Sequence, residues 1–382
     1  MTQIPYSKLP EAVPSIFTTI GKLAREQRAL NLSQGFPNFP VDPKLIDLVE
    51  KAMREGYNQY APMEGIYSLR EVISNKISSL YGKQYHPDKE LTMVAGATQG
   101  IYTAITAVVH EGDEVIVLKP AYDCYEPAIA INGGVPVFVQ MKGIDFKIDW
   151  DEFRAAVSSK TRLVIINTPH NPTGSILSAE DMTELESILR DTNIMVLSDE
   201  VYEHMVFDEE KHESVSKYPG LSERSFVMAS FGKTFHVTGW KMGYCAAPES
   251  LMKEFRKVHE YNVYAINHPI QKALASYLSE ESNYLQLSSF LQQKRDLFIK
   301  AISPSRFSFT PAKGTYFQLV NYSAISDEKD VLFAKRLIRE KGIASIPISV
   351  FNVDQLDQKQ LRFCFAKTDE TLLKAAEIII KI

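Results

Sequence analysis

Residues 161–174 read Thr161-Arg-Leu-Val-Ile-Ile-Asn167-Thr-Pro-His-Asn171-Pro-Thr-Gly174. Leu163 to Ile166 is apolar at every position. A strand with one wet face alternates apolar and polar residues, so an unbroken apolar run predicts a strand covered on both faces. Asn-Pro and Thr-Gly then mark a turn, which by itself fits a plain strand-to-helix connection equally well. The same unit recurs along the chain. Leu91-Thr-Met-Val-Ala-Gly96 precedes a helical stretch through Ile101–Val109, and Glu114-Val-Ile-Val-Leu118 precedes one through Cys124–Ile131. Val135-Pro-Val-Phe-Val139 comes before a helix after Trp150, and residues 161–174 before a helix at Ala179–Arg190. Ile194-Met-Val-Leu-Ser-Asp-Glu200, Ser225-Phe-Val-Met-Ala-Ser230 and Met242-Gly-Tyr-Cys-Ala-Ala-Pro248 complete the set. Short β-branched runs separated by helices predict an α/β fold on a mostly parallel sheet.

The flanks differ. Pro5, Pro10, Pro14, Pro37 and Pro40 make the first 40 residues an irregular arm, with one helix through Phe17–Ala24. Lys44–Glu55 and Leu69–Leu80 have helical apolar spacing. Long helices follow the strand set at Lys253–Tyr261, Gln271–Leu278 and Phe290–Ala301. A mixed region closes the chain: Thr315-Tyr-Phe-Gln-Leu-Val320, a helix near Val331–Lys341, Ile343-Ala-Ser-Ile-Pro347, Leu361-Arg-Phe-Cys-Phe-Ala366 and a last helix. The expected division is an arm with part of a small domain at 1–45, a large domain at 46–285 and a small α+β domain at 286–382.

The chain has 382 residues, too many for one ordinary domain. With 45% apolar and 23% charged residues it is not a disordered chain. A net charge of −5 argues against a nucleic-acid binder. Cys124, Cys245 and Cys364 lie far apart with no CxxC, which points to a reducing, cytoplasmic compartment. The N-terminus has no apolar signal-peptide core. Residues 91–109 are uncharged, but Gly96, Gln99, Gly100 and several threonines suit a buried strand and helix, not a membrane span. The eight histidines show no metal-ligand spacing, so no metal is expected.

Five segments carry chemistry. In Ser230-Phe-Gly-Lys233-Thr-Phe-His-Val-Thr-Gly-Trp-Lys241-Met-Gly243, Lys233 follows a strand. A lone lysine is usually a solvated surface charge. In an apolar surround, desolvation lowers its pKa and makes the neutral amine a nucleophile. A phosphate-binding P-loop would need glycine five positions before Gly232, where Val227 stands. Ser198-Asp199-Glu200-Val-Tyr202-Glu203 ends another strand. Ligands of open parallel sheets sit outside the carboxyl ends of the strands, so Asn171, Asp199 and Lys233 should converge. Ala95-Gly96-Ala97-Thr98-Gln99-Gly100 offers backbone N–H groups to an anion, although small residues also make ordinary tight turns. Arg362 alternates with apolar neighbours; it is a solvated edge charge or a clamp for a carboxylate.

In this order these segments resemble the class I/II pyridoxal-phosphate aminotransferases of fold type I. The likeness runs from Gln34-Gly-Phe-Pro-Asn-Phe39 to Arg362, and is closest to the methionine aminotransferase and kynurenine aminotransferase/glutamine transaminase K subgroup. It implies a large domain with a seven-stranded, mostly parallel sheet between helices plus a smaller α+β domain. Lys233 would hold pyridoxal 5'-phosphate as a Schiff base and, once displaced, carry the Cα proton. Asp199 would pair with the ring nitrogen. Asn171 and Tyr202 would bond the ring's phenolic oxygen, and Tyr122 would stack on its face. Ala97, Thr98, Ser230 and Lys241 would hold the phosphate, and Tyr60 would reach the phosphate of a second subunit in a homodimer. Arg362, Asn171 and Gly35 would take the substrate carboxylate. Phe17 would line the side-chain pocket, with Ile266 and Asn267 on the partner's side. At Ala97-Thr98 some members carry Gly-Tyr, and at Phe17 some carry tryptophan.

The resemblance implies transamination by a ping-pong cycle: an L-amino acid (methionine, aromatic, glutamine or kynurenine) gives its amino group to a 2-oxo acid. The alternatives are a cysteine-conjugate or cystathionine β-lyase, which shares the first Cα deprotonation, and a non-catalytic regulator on the same fold. No GxGxxG follows a strand, which removes a dehydrogenase. His170 and Trp240 are expected to be structural.

Overall fold

A computed structural model describes residues 7–10 and 13–382. The start of the expected arm, with Pro5, lies outside the described residues. Strand β1 (Leu30–Asn31) is short. The main sheet then comprises β2 (Leu91–Val94), β3 (Glu114–Lys119), β4 (Val135–Gln140), β5 (Thr161–Asn167), β6 (Met195–Asp199), β7 (Ser225–Ser230) and β8 (Gly243–Ala246). Their spatial order is β2-β8-β7-β6-β5-β3-β4. Only β8 is antiparallel to its neighbours. The expected seven-stranded, mostly parallel sheet is therefore present.

The apolar runs behave as their pattern requires. In β5, Leu163 and Ile165 pack into one layer and Val164 and Ile166 into the other. The first layer is closed by helices Ala97–Val108 and Glu249–Asn262; the second by Tyr67–Tyr81, Ala179–Leu189 and His268–Leu278. Two-sided cover explains why these strands do not alternate. β4 departs from that expectation. It is the sheet edge, and Val135 is 48% exposed.

Local signals set the helix starts. Ser178 accepts from the Asp181 N–H, and Asp181 accepts in return from the Ser178 N–H. Asp42 caps Pro43–Arg54, with proline at the first position. The helix expected near Val331–Lys341 runs Asp330–Arg336 and then widens into a π turn at Leu337–Lys341.

The smaller sheet consists of β9 (Phe317–Asn321), β11 (Ile346–Pro347) and β12 (Gln360–Cys364), ordered β11-β12-β9 and antiparallel. Beside it β10 (Ile343–Ala344) pairs in parallel with β1, so the N-terminal segment is tied to the C-terminal unit.

Behind the carboxyl end of β6 lies a buried ionic network. Lys76 Nζ donates to Glu203 Oε1 at 2.5 Å, and Tyr81 donates to Glu203 Oε2 at 2.8 Å. Burial pushes the Glu203 carboxyl up, but the Lys76 charge and hydrogen bond, together with the neighbouring His204 and His212, outweigh it and hold the group well below the usual carboxylate range. Removing one partner of a buried pair leaves a buried, uncompensated charge. Lys76→Met should therefore destabilise the fold by about 3–5 kcal/mol. Lys76→Met with Glu203→Leu should recover most of that loss. Urea unfolding midpoints of the cofactor-free protein check both.

Candidate active site

The carboxyl ends of β5, β6 and β7 open onto one cavity of about 300 Å³, walled on its far side by the smaller sheet and the N-terminal segment. Asn167 and Asp199 are direct neighbours in the strand register. The Asn167 Nδ2 donates to the Asp199 carbonyl at 2.8 Å, and its Oδ1 accepts from the Asn171 N–H at 2.8 Å. One amide thus holds both strand ends together.

Asp199 points into the cavity and is 4% exposed. Tyr125 donates to its Oδ2 at 2.6 Å, while Oδ1 has only the Val201 N–H at 3.4 Å. Burial pushes its carboxyl up to about 6, against the pull of these donors and of Lys233. Among the described residues no cation pairs with it. Lys233 sits one turn after β7, in the short helix Phe231–Thr234 capped by Ser230. Burial pulls its ammonium down to about 8; Arg362 and Lys241 push the same way, and Cys364 and Asp199 oppose. Its Nζ donates to the Gly35 carbonyl at 3.2 Å and the Tyr316 hydroxyl at 3.0 Å.

Arg362 is not an edge charge: it is 1% exposed. Its Nη1 donates to Asn171 Oδ1 at 2.5 Å and its Nη2 to the Ser33 carbonyl at 3.1 Å. Phe317 and Phe17 flank the guanidinium, with ring centroids 3.8 and 5.2 Å away. Its Nε is buried and has no partner. Gly35 must be glycine here, because a Cβ would lie 2.6 Å from the Phe317 ring.

The helix Ala97–Val108 presents its N-terminus to the cavity without a side-chain cap, so the first N–H groups stay free. Gly96 precedes it with φ +81°, and Gln99 braces the loop by accepting from the Ala95 N–H at 3.0 Å. The 3₁₀ turn Thr238–Trp240 brings Lys241 back to this end: a Cβ on Gly96 would sit 3.2 Å from its Nζ. Tyr122 and Tyr202 also line the cavity, and burial raises both phenols. His170 bonds the Thr173 hydroxyl at 2.7 Å, and burial drops its pKa to about 4, so it is a neutral structural group. Trp240 packs against the core.

The structure thus gathers every candidate site residue except Tyr60, Ile266 and Asn267. Tyr60 is 83% exposed and lies outside the cavity, edge-on to Tyr264. Ile266 and Asn267 are also outside it, and the Asn267 side chain caps a helix by accepting from the Ile270 N–H at 3.0 Å. Three contributors escaped the sequence analysis: Asn167, Tyr125 and Tyr316.

The sequence family described as "Aminotransferase class I and II" matches residues 27–379. The chain belongs to this family. It is a pyridoxal-phosphate-dependent aminotransferase of fold type I. The methionine aminotransferase of Escherichia coli is 48% identical over 98% of this chain and 97% of its own. The kynurenine–oxoglutarate transaminase of Dictyostelium discoideum is 32% identical over 97% and 94%. Among solved structures, an E. coli methionine aminotransferase superposes over 100% of both chains with a TM-score of 0.97 at 47% identity. A Thermus thermophilus aspartate aminotransferase reaches 0.91 at 25% identity, covering 100% of both chains.

The raised Asp199 pKa has a measurable consequence for this aminotransferase without its cofactor. An acid whose folded pKa is raised binds protons more tightly folded than unfolded. Its contribution to stability falls as pH rises from about 4 through about 6. Asp199→Asn removes the ionisable group. The cofactor-free variant should be more stable than the parent by about 1–3 kcal/mol at pH 8, with the gap closing near pH 4. Urea midpoints across pH test this; a gap that persists at pH 4 would mean that ionisation is not its source.

Proposed function

We infer that this aminotransferase takes L-methionine as its amino donor, with aromatic amino acids, glutamine and kynurenine as further donors, and returns the amino group to a 2-oxo acid. The observation that carries this is the cavity wall. Arg362 is its only guanidinium among the described residues, and Phe17, Tyr122 and Phe317 surround the space beside it. One arginine suits an α-carboxylate, and aromatic walls suit a neutral or apolar side chain. The 48% identity to a methionine aminotransferase supports the same donor.

The residues present fit pyridoxal phosphate. An uncapped helix N-terminus beside Ser230 and Lys241 suits a phosphate. A buried Asp199 without a cation suits a protonated ring nitrogen. A buried amine at about 8 suits an aldehyde. When bound, the cofactor supplies that aldehyde and a ring that takes up an electron pair as a proton leaves Cα. Ala97 and Thr98 N–H groups, the Ser230 hydroxyl and Lys241 would hold the phosphate. Asp199, fixed by Tyr125 and Asn167, would keep the ring nitrogen protonated. Asn171 and Tyr202 would bond the phenolic oxygen, and Tyr122 would cover the ring. Arg362 would take the substrate carboxylate through its free Nε, oriented by Asn171 and the Ser33 carbonyl. Gly35 leaves room beside it. Lys233, whose ammonium burial pulls down to about 8, can take up and release a proton near neutral pH and would carry the Cα proton.

The active unit in this proposal is a homodimer. Tyr60 and Tyr261 are 83% and 89% exposed, and a second copy would cover them while Tyr60 reaches its phosphate. Ile266 and Asn267 would meet the partner's pocket. The three cysteines are free, which fits the reducing cytoplasm. Among the described residues no helix is long and apolar enough to cross a membrane.

A visible spectrum of the purified protein, before and after L-methionine without any oxo acid, tests the donor. The expected result is a near-visible band that bleaches, with stoichiometric 2-oxo acid and no ammonia. Released ammonia would mean elimination instead. A band that bleaches only with kynurenine would move the donor. Arg362→Lys, which loses the planar fork, should lower kcat/KM for methionine about 100-fold.

A further inference from the structure

The Lys233 amine does not hang free in the cavity. It donates both to the Gly35 carbonyl and to the Tyr316 hydroxyl, at 3.2 and 3.0 Å. The Tyr316 hydroxyl in turn donates to the same Gly35 carbonyl at 2.6 Å. Its proton is therefore committed, and its lone pairs face the amine. Tyr316 is 0% exposed, and its ring is held edge-on by Tyr202 at 5.3 Å and by Phe317 at 4.9 Å. Two acceptors on separate segments, one at the entry to β9 and one in the N-terminal loop, define a single position for a side chain that otherwise has four free rotors.

An amine that exchanges a proton at Cα must leave its own bond and still stay within reach. We propose that Tyr316 is a catalytic residue of transamination: with the Gly35 carbonyl it is the resting site that holds the released Lys233 amine in position for the Cα proton. This rests on the proposal that Lys233 is the amine that carries the cofactor. Because Gly35 belongs to the loop beside Arg362, the same triangle ties the amine's position to the loop that meets the substrate carboxylate.

The protonation of Lys233 reports the contact. Both acceptors favour the ammonium, so removing one lowers the amine's proton affinity. The other groups facing Lys233 stay in place in Tyr316→Phe: Arg362 and Lys241 disfavour the ammonium, Asp199 and Cys364 favour it, and the Tyr202 ring lies 5.7 Å from the amine.

The test is the pH dependence of Lys233 trinitrophenylation in the cofactor-free protein, read by peptide mapping. In Tyr316→Phe the midpoint should fall by about one pH unit. In the loaded variant, single-turnover conversion of methionine should slow about tenfold or more, with KM changed less and a larger isotope effect from α-deuterated methionine. An unchanged midpoint and isotope effect would overturn the role. Circular dichroism checks the fold, and 3-fluorotyrosine at position 316 keeps the shape while weakening the acceptor; its midpoint should fall too, by less. Borohydride fixation of the cofactor on the parent enzyme separates the two proposals. Fixation elsewhere than Lys233 sinks the underlying assignment; fixation at Lys233 with an unmoved midpoint sinks Tyr316 alone.

Discussion

The site depends on one side chain that takes no part in the chemistry. Asn167 ends β5 with its amide bonded both to the Asp199 carbonyl and to the Asn171 N–H. The first bond fixes the end of β6, from which Asp199 and Tyr202 project. The second fixes the turn whose Asn171 grips Arg362. A polar group buried this deeply is stable only with its partners made, so the two bonds lock each other in place. Arg362 then carries the order across to the smaller sheet.

The cavity gathers ionisable groups that do not neutralise one another. Lys233 is pulled toward neutrality, Asp199 is pushed the same way, and Arg362 keeps an unpartnered Nε. Each is held by neutral donors or acceptors: Tyr125 for Asp199, Gly35 and Tyr316 for Lys233, and Asn171 and Ser33 for Arg362. On the reverse of the same turn, Glu203 does meet its cation, Lys76. Charges are thus satisfied behind the loop and left unsatisfied in front of it, where ligands bring the missing partners.

Much of this was legible in the residues. Unbroken apolar runs predict two-sided strands, and the rule that ligands lie at strand ends brings Asn171, Asp199 and Lys233 together from the sequence alone. β4 misled because its residues have strand character while its place at the edge depends on topology. Tyr316 was hidden for another reason. In Thr315-Tyr-Phe-Gln-Leu-Val320 a tyrosine looks like core, and its partners lie 83 and 281 positions away. Tyr125 and Asn167 likewise act through neighbours that only the strand order supplies. Tyr60 lies outside the cavity of its own chain, against Tyr264, so the role that the resemblance implies for it would need a second copy.

The parallel pairing of β1 with β10 has a consequence for how the molecule comes into being. Leu30 and Asn31 bond a segment made more than 300 residues later, and the Leu32 carbonyl accepts from the Cys364 N–H. On the ribosome the central sheet can close while the tail is still unmade. Phe17 and Gly35 must then wait, their docking surfaces absent, until Tyr316 and Arg362 emerge. A nascent chain that has closed the central sheet at that point has an open, half-walled pocket, because the residues of its remaining wall lie at the C-terminal end of the sequence.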